Sequence, residues 1–323
     1  MVAEKMSANF AANVTGWTIF ALTALCLWLC VGCESKSSDG RDATSGASTD
    51  EASEKGATVS ATAKGGFDYL KARREFAEAD FFKPAADSAD EDTIRMAPLI
   101  VREVAGADVG QWRLGVDFSE LQEPDPATAD ASQERIVYYS RDEVVIGGWA
   151  HQRLSYVWLL RHRERGELQW CGVRMVRGLD GRPIISEVFA SDATAREFFI
   201  AQAVEDQAWI EFGKPLPQRR YAVEVALEDA PTTFVTRVIS DGREPMGPFV
   251  YMEANGRSVT TLLCRCMSSQ YKAVRKNEYY QLQSLDDDGV DLMRSAAPEL
   301  AALLNGASDA LPLVAVLRIP KLQ

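Results

Sequence analysis

Leu154-Ser155-Tyr156-Val157-Trp158-Leu159-Leu160, Leu168-Gln169-Trp170-Cys171-Gly172-Val173-Arg174-Met175-Val176 and Pro183-Ile184-Ile185-Ser186-Glu187-Val188-Phe189 are the three runs on which the fold turns. Bulky side chains alternate in the first, yet both faces are largely apolar, which predicts a central strand covered on both sides. The second and third runs are joined by Gly178-Leu179-Asp180-Gly181. Asp-Gly between two β-type runs predicts a hairpin. Shorter runs rich in Val, Ile, Tyr and Trp, separated by turn residues, precede them near 98–104, 112–118, 135–140 and 143–147. Others follow at 220–227, 233–239, 248–253, 258–267 and 277–285. This is the signal of an all-β or α+β chain, not of βαβ alternation.

Between the two strand-rich halves, DATAREFFIAQAVEDQAWIEF (192–212) contains neither Gly nor Pro. Ser191 or Asp192 supplies a cap in front, and Gly213 with Pro215 supplies a stop, so one long central helix is predicted to end at Phe212. Its apolar residues, Phe198, Phe199, Ile200, Val204, Trp209, Ile210 and Phe212, spread around most of the helical wheel, as in a helix touching protein on several sides. A first helix over 67–82, stopped by Pro84, a short helix near 296–304 and a last strand over 311–319 complete the reading. The expected class is α+β: predominantly antiparallel sheet or sheets, one long central helix, and shorter N- and C-terminal helices. The body, 67–323, forms either one large sheet structure or two subdomains split near 191–218.

The 323-residue chain carries 47 Asp plus Glu against 35 Lys plus Arg, a net charge of −12, and is 46% hydrophobic. That composition is globular and excludes collagen-like, wholly disordered and polytopic membrane classes. Nucleic acid is excluded as a partner, because phosphate binding needs a concentrated basic stripe and none is present.

Residues 17–32, WTIFALTALCLWLCVG, are sixteen residues without a charge. A spanning helix needs about 20 apolar residues, whereas a signal-peptide core needs only about 7 to 15. Leu29-Cys30-Val31-Gly32-Cys33 closes the run, and Glu34-Ser35-Lys36-Ser37-Ser38-Asp39-Gly40 follows as an abrupt polar shift. This segment resembles a bacterial lipoprotein signal. The resemblance implies that Gly32 admits the signal peptidase and that Cys33 is lipidated and becomes the new N-terminus. Two features depart from that pattern: Cys30 stands where Leu is usual, and the leading segment has Lys5 offset by Glu4. An uncleaved anchor, or a plain secretory signal with Cys33 an ordinary thiol, also places the body outside the cytoplasm.

On this reading, 1–32 is the signal peptide and 33–66 is the lipidated cysteine with a disordered tether. The partner is the membrane through the N-terminal lipid, and the location is the cell envelope, extracytoplasmic, on the periplasmic or outer-membrane face. Residues 34–66 have one Val as their only large aliphatic residue. They cannot bury enough apolar surface to offset their ordering entropy, and a flexible chain of this length has an r.m.s. span of roughly 30 Å.

Outside the signal and Cys33, the cysteines are Cys171, Cys264 and Cys266. On a strand, Thr260, Leu262, Cys264 and Cys266 share a face, and two sulfurs there, with Cys171 or His151 as a third ligand, would suit Cu(I) or Zn. The alternative is that these thiols pack as small hydrophobes or that one bridges to Cys171. In Gly147-Gly148-Trp149-Ala150-His151-Gln152, paired glycines permit unusual torsions and Trp149 offers a stacking face, so Trp149 and His151 are candidate ligand contacts. The plain alternative is a hairpin turn with the Trp tucked onto the sheet. His162, in Arg161-His162-Arg163-Glu164-Arg165, reads as solvated surface. Glu187, inside the apolar run IISEVF, is the carboxylate whose burial could matter. No G-x-S-x-G, H-E-x-x-H, P-loop or G-x-G-x-x-G occurs. Placing Gly289 sixth in an EF-hand loop puts Ser284 first and Ser295 twelfth, so that reading fails.

Three functions follow as expectations. The first is a membrane-tethered binding module for an envelope protein, a surface polymer or a small ligand. The second is a hydrolase or transferase with an unrecognised acidic site. The third is a thiol-based copper or zinc handler. No other cofactor is indicated.

Overall fold

Two-sided burial of the central runs is met by closing the sheet on itself. The structure, a computed structural model, describes residues 76–105, 110–118, 134–265, 271–285, 291, 293–294, 297–304 and 313–321, all within the unit Ser60–Gln323. The strands are β1 (Phe76–Pro84), β2 (Leu99–Glu103), β3 (Trp112–Leu114), β4 (Ile136–Ile146), β5 (Trp149–His162) and β6 (Leu168–Arg177). They continue with β7 (Pro183–Ala190), β8 (Arg196–Ala201), β9 (Thr233–Ile239), β10 (Phe249–Met252), β11 (Val259–Leu263) and β12 (Tyr271–Ser284). Among the described residues the helices are α1 (Glu91–Met96), α2 (Gln202–Phe212), α3 (Pro298–Leu304) and α4 (Leu313–Val316).

The sheet runs β11-β10-β2-β1-β12-β4-β5-β6-β7-β8-β9, with β3 added beside the end of β5. Its two ends approach each other, and Arg237 of β9 donates from Nη1 to Thr261 Oγ1 of β11 at 3.3 Å. The result is a nearly closed barrel. Four pairings are parallel, β1 with β12, β2 with β10, β4 with β12 and β8 with β9.

The expected α+β class with a long central helix is therefore wrong. The segment 192–212 splits: Arg-Glu-Phe-Phe-Ile-Ala is strand β8, paired on both sides, and only the 11-residue α2 follows, packed on the outside of the sheet. Phe198 and Ile200 bury outward and Phe199 inward, so the apolar spread around a helical wheel was two-sided strand burial. The described part of the supposed first helix is strand β1, and 67–75 lie outside the described residues. Residues 220–227 form turns with a single bridge from Glu224 to Leu317, and the supposed last strand holds α4. The sheet is mixed: antiparallel pairings are joined by the four parallel ones in a single nearly closed barrel. The hairpin around Gly178–Gly181 is present, joining β6 to β7.

Inside the barrel, Leu154, Tyr156, Trp158 and Leu160 of β5 meet Cys171, Val173 and Met175 of β6, Val250 and Met252 of β10, and Tyr280 and Leu282 of β12. These side chains pack into one apolar cluster. Helix α1 plugs one end. Asp90 caps it by accepting from Thr93 N–H at 3.0 Å, Met96 enters the core, and Tyr156 Oη donates to the Thr93 carbonyl at 2.9 Å. On the outer face, α3 covers Val157, Leu159 and Phe189, while α2 and α4 cover Val176, Ile185, Phe198 and Ile200. Each large side chain fully buried in this way contributes about 1.5 to 3 kcal/mol.

A buried carboxylate ties three strands together. Asp80 of β1 accepts from Arg102 of β2 at 2.9 Å and from Arg275 of β12 at 2.6 and 2.8 Å. Burial alone would raise its pKa, but the hydrogen bonds and charges of the two guanidiniums outweigh that and hold it below 3.8.

Gly172 shows how tightly the outer layer is packed. A Cβ there would lie 2.4 Å from the Phe189 ring and 2.6 Å from the Tyr156 carbonyl oxygen. Gly172→Ala is expected to cost about 1 to 3 kcal/mol, the range for overpacking a dense core. The measurement is a urea titration, and an unchanged midpoint would show that Phe189 moves aside freely.

Candidate functional site

The outer face of β4–β8 carries a row of charges in an otherwise apolar layer. The antiparallel register sets Ser155 opposite Arg174, Arg174 opposite Glu187 and Glu187 opposite Phe198, one strand after another. One step along, Asp142 faces Arg153, and Arg153 faces Val176. Arg196 stands two residues before Phe198 on the same face of β8. Because alternation puts every second residue on one side, these charges are brought together by register alone.

Glu187 and Arg174 are buried, and Arg174 is only 4% exposed. Arg196 donates from Nε to Glu187 Oε1 at 2.8 Å, and Arg174 from Nη1 to Glu187 Oε2 at 3.5 Å. Arg174 Nε reaches Ser155 Oγ at 3.4 Å, and Arg153 grips Asp142 with two bonds of 2.7 and 2.5 Å. The guanidiniums of Arg174 and Arg196 lie 5.7 and 5.3 Å from the ring centres of Phe189 and Phe198, within cation–π range.

A cavity of about 60 Å³ opens here, walled by Arg153, Arg174, Arg196 and Glu187 over Val144, Val176, Ile185, Phe198 and Leu313. It has room for a few waters or a group of a few heavy atoms. Guanidinium donors beside apolar walls suit an anionic group on a short hydrocarbon stem.

The other candidates fall elsewhere. Gly147 and Gly148 have φ of +59° and +87°, the two positive values a type I′ turn demands, between paired Ile146 and Trp149. Trp149 is not tucked against the sheet: it is 61% exposed at the hairpin tip. His151 is buried, its Nδ1–H donating to the Arg177 carbonyl at 2.8 Å. Neither lines the arginine cavity. His162, read as solvated, is buried edge-on to Trp112 at 5.1 Å between ring centres. Cys33 and Cys266 lie outside the described residues. Cys171 is a free thiol inside the barrel, opposite Trp158, and burial pushes its pKa well up. Cys264 is disulfide-bonded, so its partner is not Cys171, and it falls past the end of β11 rather than on the expected strand face. Among the described residues no three His, Cys, Asp or Glu side chains converge as metal ligands would.

Glu187 was legible from its apolar run. Its arginine partners were not, although Arg174 and Glu187 flank the predicted hairpin turn and could have been paired across it. Also missed was Glu197, whose place beside Phe199 on β8 turns it into the barrel, where Thr236 Oγ1 donates to it at 3.4 Å.

No protein-family model matches the sequence, and no curated protein and no solved structure matches it either.

Burial raises the Glu197 carboxyl from 4.5 to about 7, against the lowering effect of Thr236. The folded chain thus holds this proton more tightly than the unfolded one. Stability is greatest below the unfolded value and falls as pH rises towards 7, by an amount on the order of 3 kcal/mol. Glu197→Gln should flatten the urea midpoint between about pH 5 and pH 7 relative to the parent. An identical slope in both proteins would assign the effect to another group.

Proposed function

We propose that this chain is an extracytoplasmic lipoprotein, held to a membrane through Cys33, whose barrel works by binding. The address rests on one observation, the uncharged run 17–32 ending in Leu29-Cys30-Val31-Gly32-Cys33 and followed by a polar tether. The binding reading is supported by the shape of the body. Apolar side chains pack together inside the barrel, and the arginine cavity opens on its outer face. The cavity's lining offers guanidiniums, one carboxylate already held in ion pairs, and apolar walls. A few polar groups set among apolar walls are the usual make-up of a binding site.

Intact mass and membrane fractionation of the full chain, compared with Cys33→Ser, test the address. The variant is expected to lose a diacylglyceryl-sized mass increment and to leave the membrane fraction. If Cys33→Ser changes neither, the segment is an uncleaved anchor or a plain signal and the lipid tether is lost from the reading.

A further inference from the structure

We infer that the first half of β12 is a docking edge for an extended acidic peptide, which adds there as one more strand. The inference goes beyond the binding reading above and uses neither Cys33 nor the arginine cavity. Strand β12 changes neighbours along its length. Its edge towards β1 is paired from Tyr271 to Tyr280, whereas β4 joins the other edge only from Gln281 to Ser284. Among the described residues no strand pairs with that second edge before Gln281. Lys272 to Asn277 are all exposed and Tyr279 is 58% exposed, so this stretch of the barrel faces solvent. Alternation fixes which backbone groups point out. Gln281 N–H donates to the Arg135 carbonyl on the β4 side at 2.7 Å, while the Tyr280 carbonyl turns the other way and accepts from Ala85 N–H at 2.8 Å. Residues two apart on a strand direct their N–H and C=O to the same edge, so Asn277 and Tyr279 turn theirs outward, in line with the β4 ladder. A peptide strand that takes up these groups continues the ladder where β4 leaves off, and main-chain bonds supply the affinity in this mode of recognition.

The charges along the edge select the peptide. Between Tyr271 and Tyr280 the strand carries Lys272, Arg275 and Lys276 against Glu278 alone, in a chain whose net charge is −12. Among the described residues no ion pair holds Lys272. Glu278 is gripped by Arg135 and lies 3.8 Å from Lys276, and Asp80 is held by Arg102 and Arg275. The other nearby carboxylates, Glu78 and Glu134, belong to β1 and to the approach to β4. Val274, 44% exposed, and Tyr279 offer apolar contact to the side chains of an incoming strand. Lysine on an open edge discourages pairing with a second copy of the same edge, and it leaves an acidic strand free to add.

The test is fluorescence anisotropy of the detergent-solubilised full chain with three labelled, capped peptides. The first alternates Glu and Val, the second is the same peptide methylated on every amide nitrogen, and the third has Lys in place of Glu. Saturable binding of the first is expected, with the other two at least tenfold weaker. Asn277→Pro removes an outward N–H and spares the β1 ladder, since proline is tolerated where the N–H of an edge strand faces away. It is expected to weaken the first peptide at least tenfold. Lys272→Glu combined with Lys276→Glu changes only exposed side chains, is expected to do the same, and keeps the test decisive if Asn277→Pro fails to fold. Equal binding of the methylated peptide would reduce the attraction to side-chain charge, and equal binding of the Lys peptide would remove the selection for acid. Either result overturns the inference, as does binding that survives Lys272→Glu with Lys276→Glu. Absence of binding by the first peptide overturns it too, whether the edge stays bare or a second copy fills it. None of these results passes through Cys33 or the arginine cavity, so failure here is distinct from failure of the reading above.

Discussion

Burial of β5 on both faces is the constraint on which the rest of the structure depends. A strand whose alternate residues are Leu154, Tyr156, Trp158 and Leu160 on one side and Val157 and Leu159 on the other cannot lie at a wet surface on either side. Closing the sheet supplies the inner cover, and α2, α3 and α4 supply the outer one. Closure also brings the two end strands of the sheet, β9 and β11, together and so protects edges that invite aggregation. The charges of the outer face are then forced into the one gap between two apolar patches. Arg174 and Glu187 have to pair there, because an isolated buried charge costs several kcal/mol.

Much of the β content was legible. Runs at 98–104, 154–160, 168–176, 183–189 and 233–239 are strands, and the Asp-Gly turn between β6 and β7 stands where its chemistry placed it. The failures share one physical cause: local pattern was overruled by distant pairing. Arg-Glu-Phe-Phe-Ile-Ala has the composition of a helix and no breaker, yet β7 and β9 claim both its edges. Phe76–Pro84 likewise has no breaker before Pro84, yet β2 and β12 claim both its edges.

The candidate site was legible in part for a related reason. Glu187 announced itself by lying inside an apolar run, but the significance of a buried carboxylate comes from what faces it. Arg174 is its hairpin neighbour, reachable in principle by counting outward from the turn. A register shift between Val176 and Arg177 spoils that count. Arg153 and Arg196 come from strands on either side, and nothing in their own sequence neighbourhoods distinguishes them from other surface arginines. Cysteine and histidine, the residues with the richer chemical repertoire, drew attention to positions that turn out to be core, turn or strand end.

The parallel pairing of β1 with β12 has a consequence for how the chain reaches this state. Phe76 lies beside Tyr271 and Pro84 beside Tyr280, and Asp80 draws its counter-charge from Arg275. The first strand of the barrel therefore has no partner on that side until nearly the whole polypeptide exists. Contacts of such sequence separation make folding slow, since the entropy of closing a very long loop is spent before any contact rewards it. A chain built in this way stays open while it is being made and commits to its final form only near the end of synthesis. On the export route proposed above, late commitment keeps the chain threadable for as long as threading lasts.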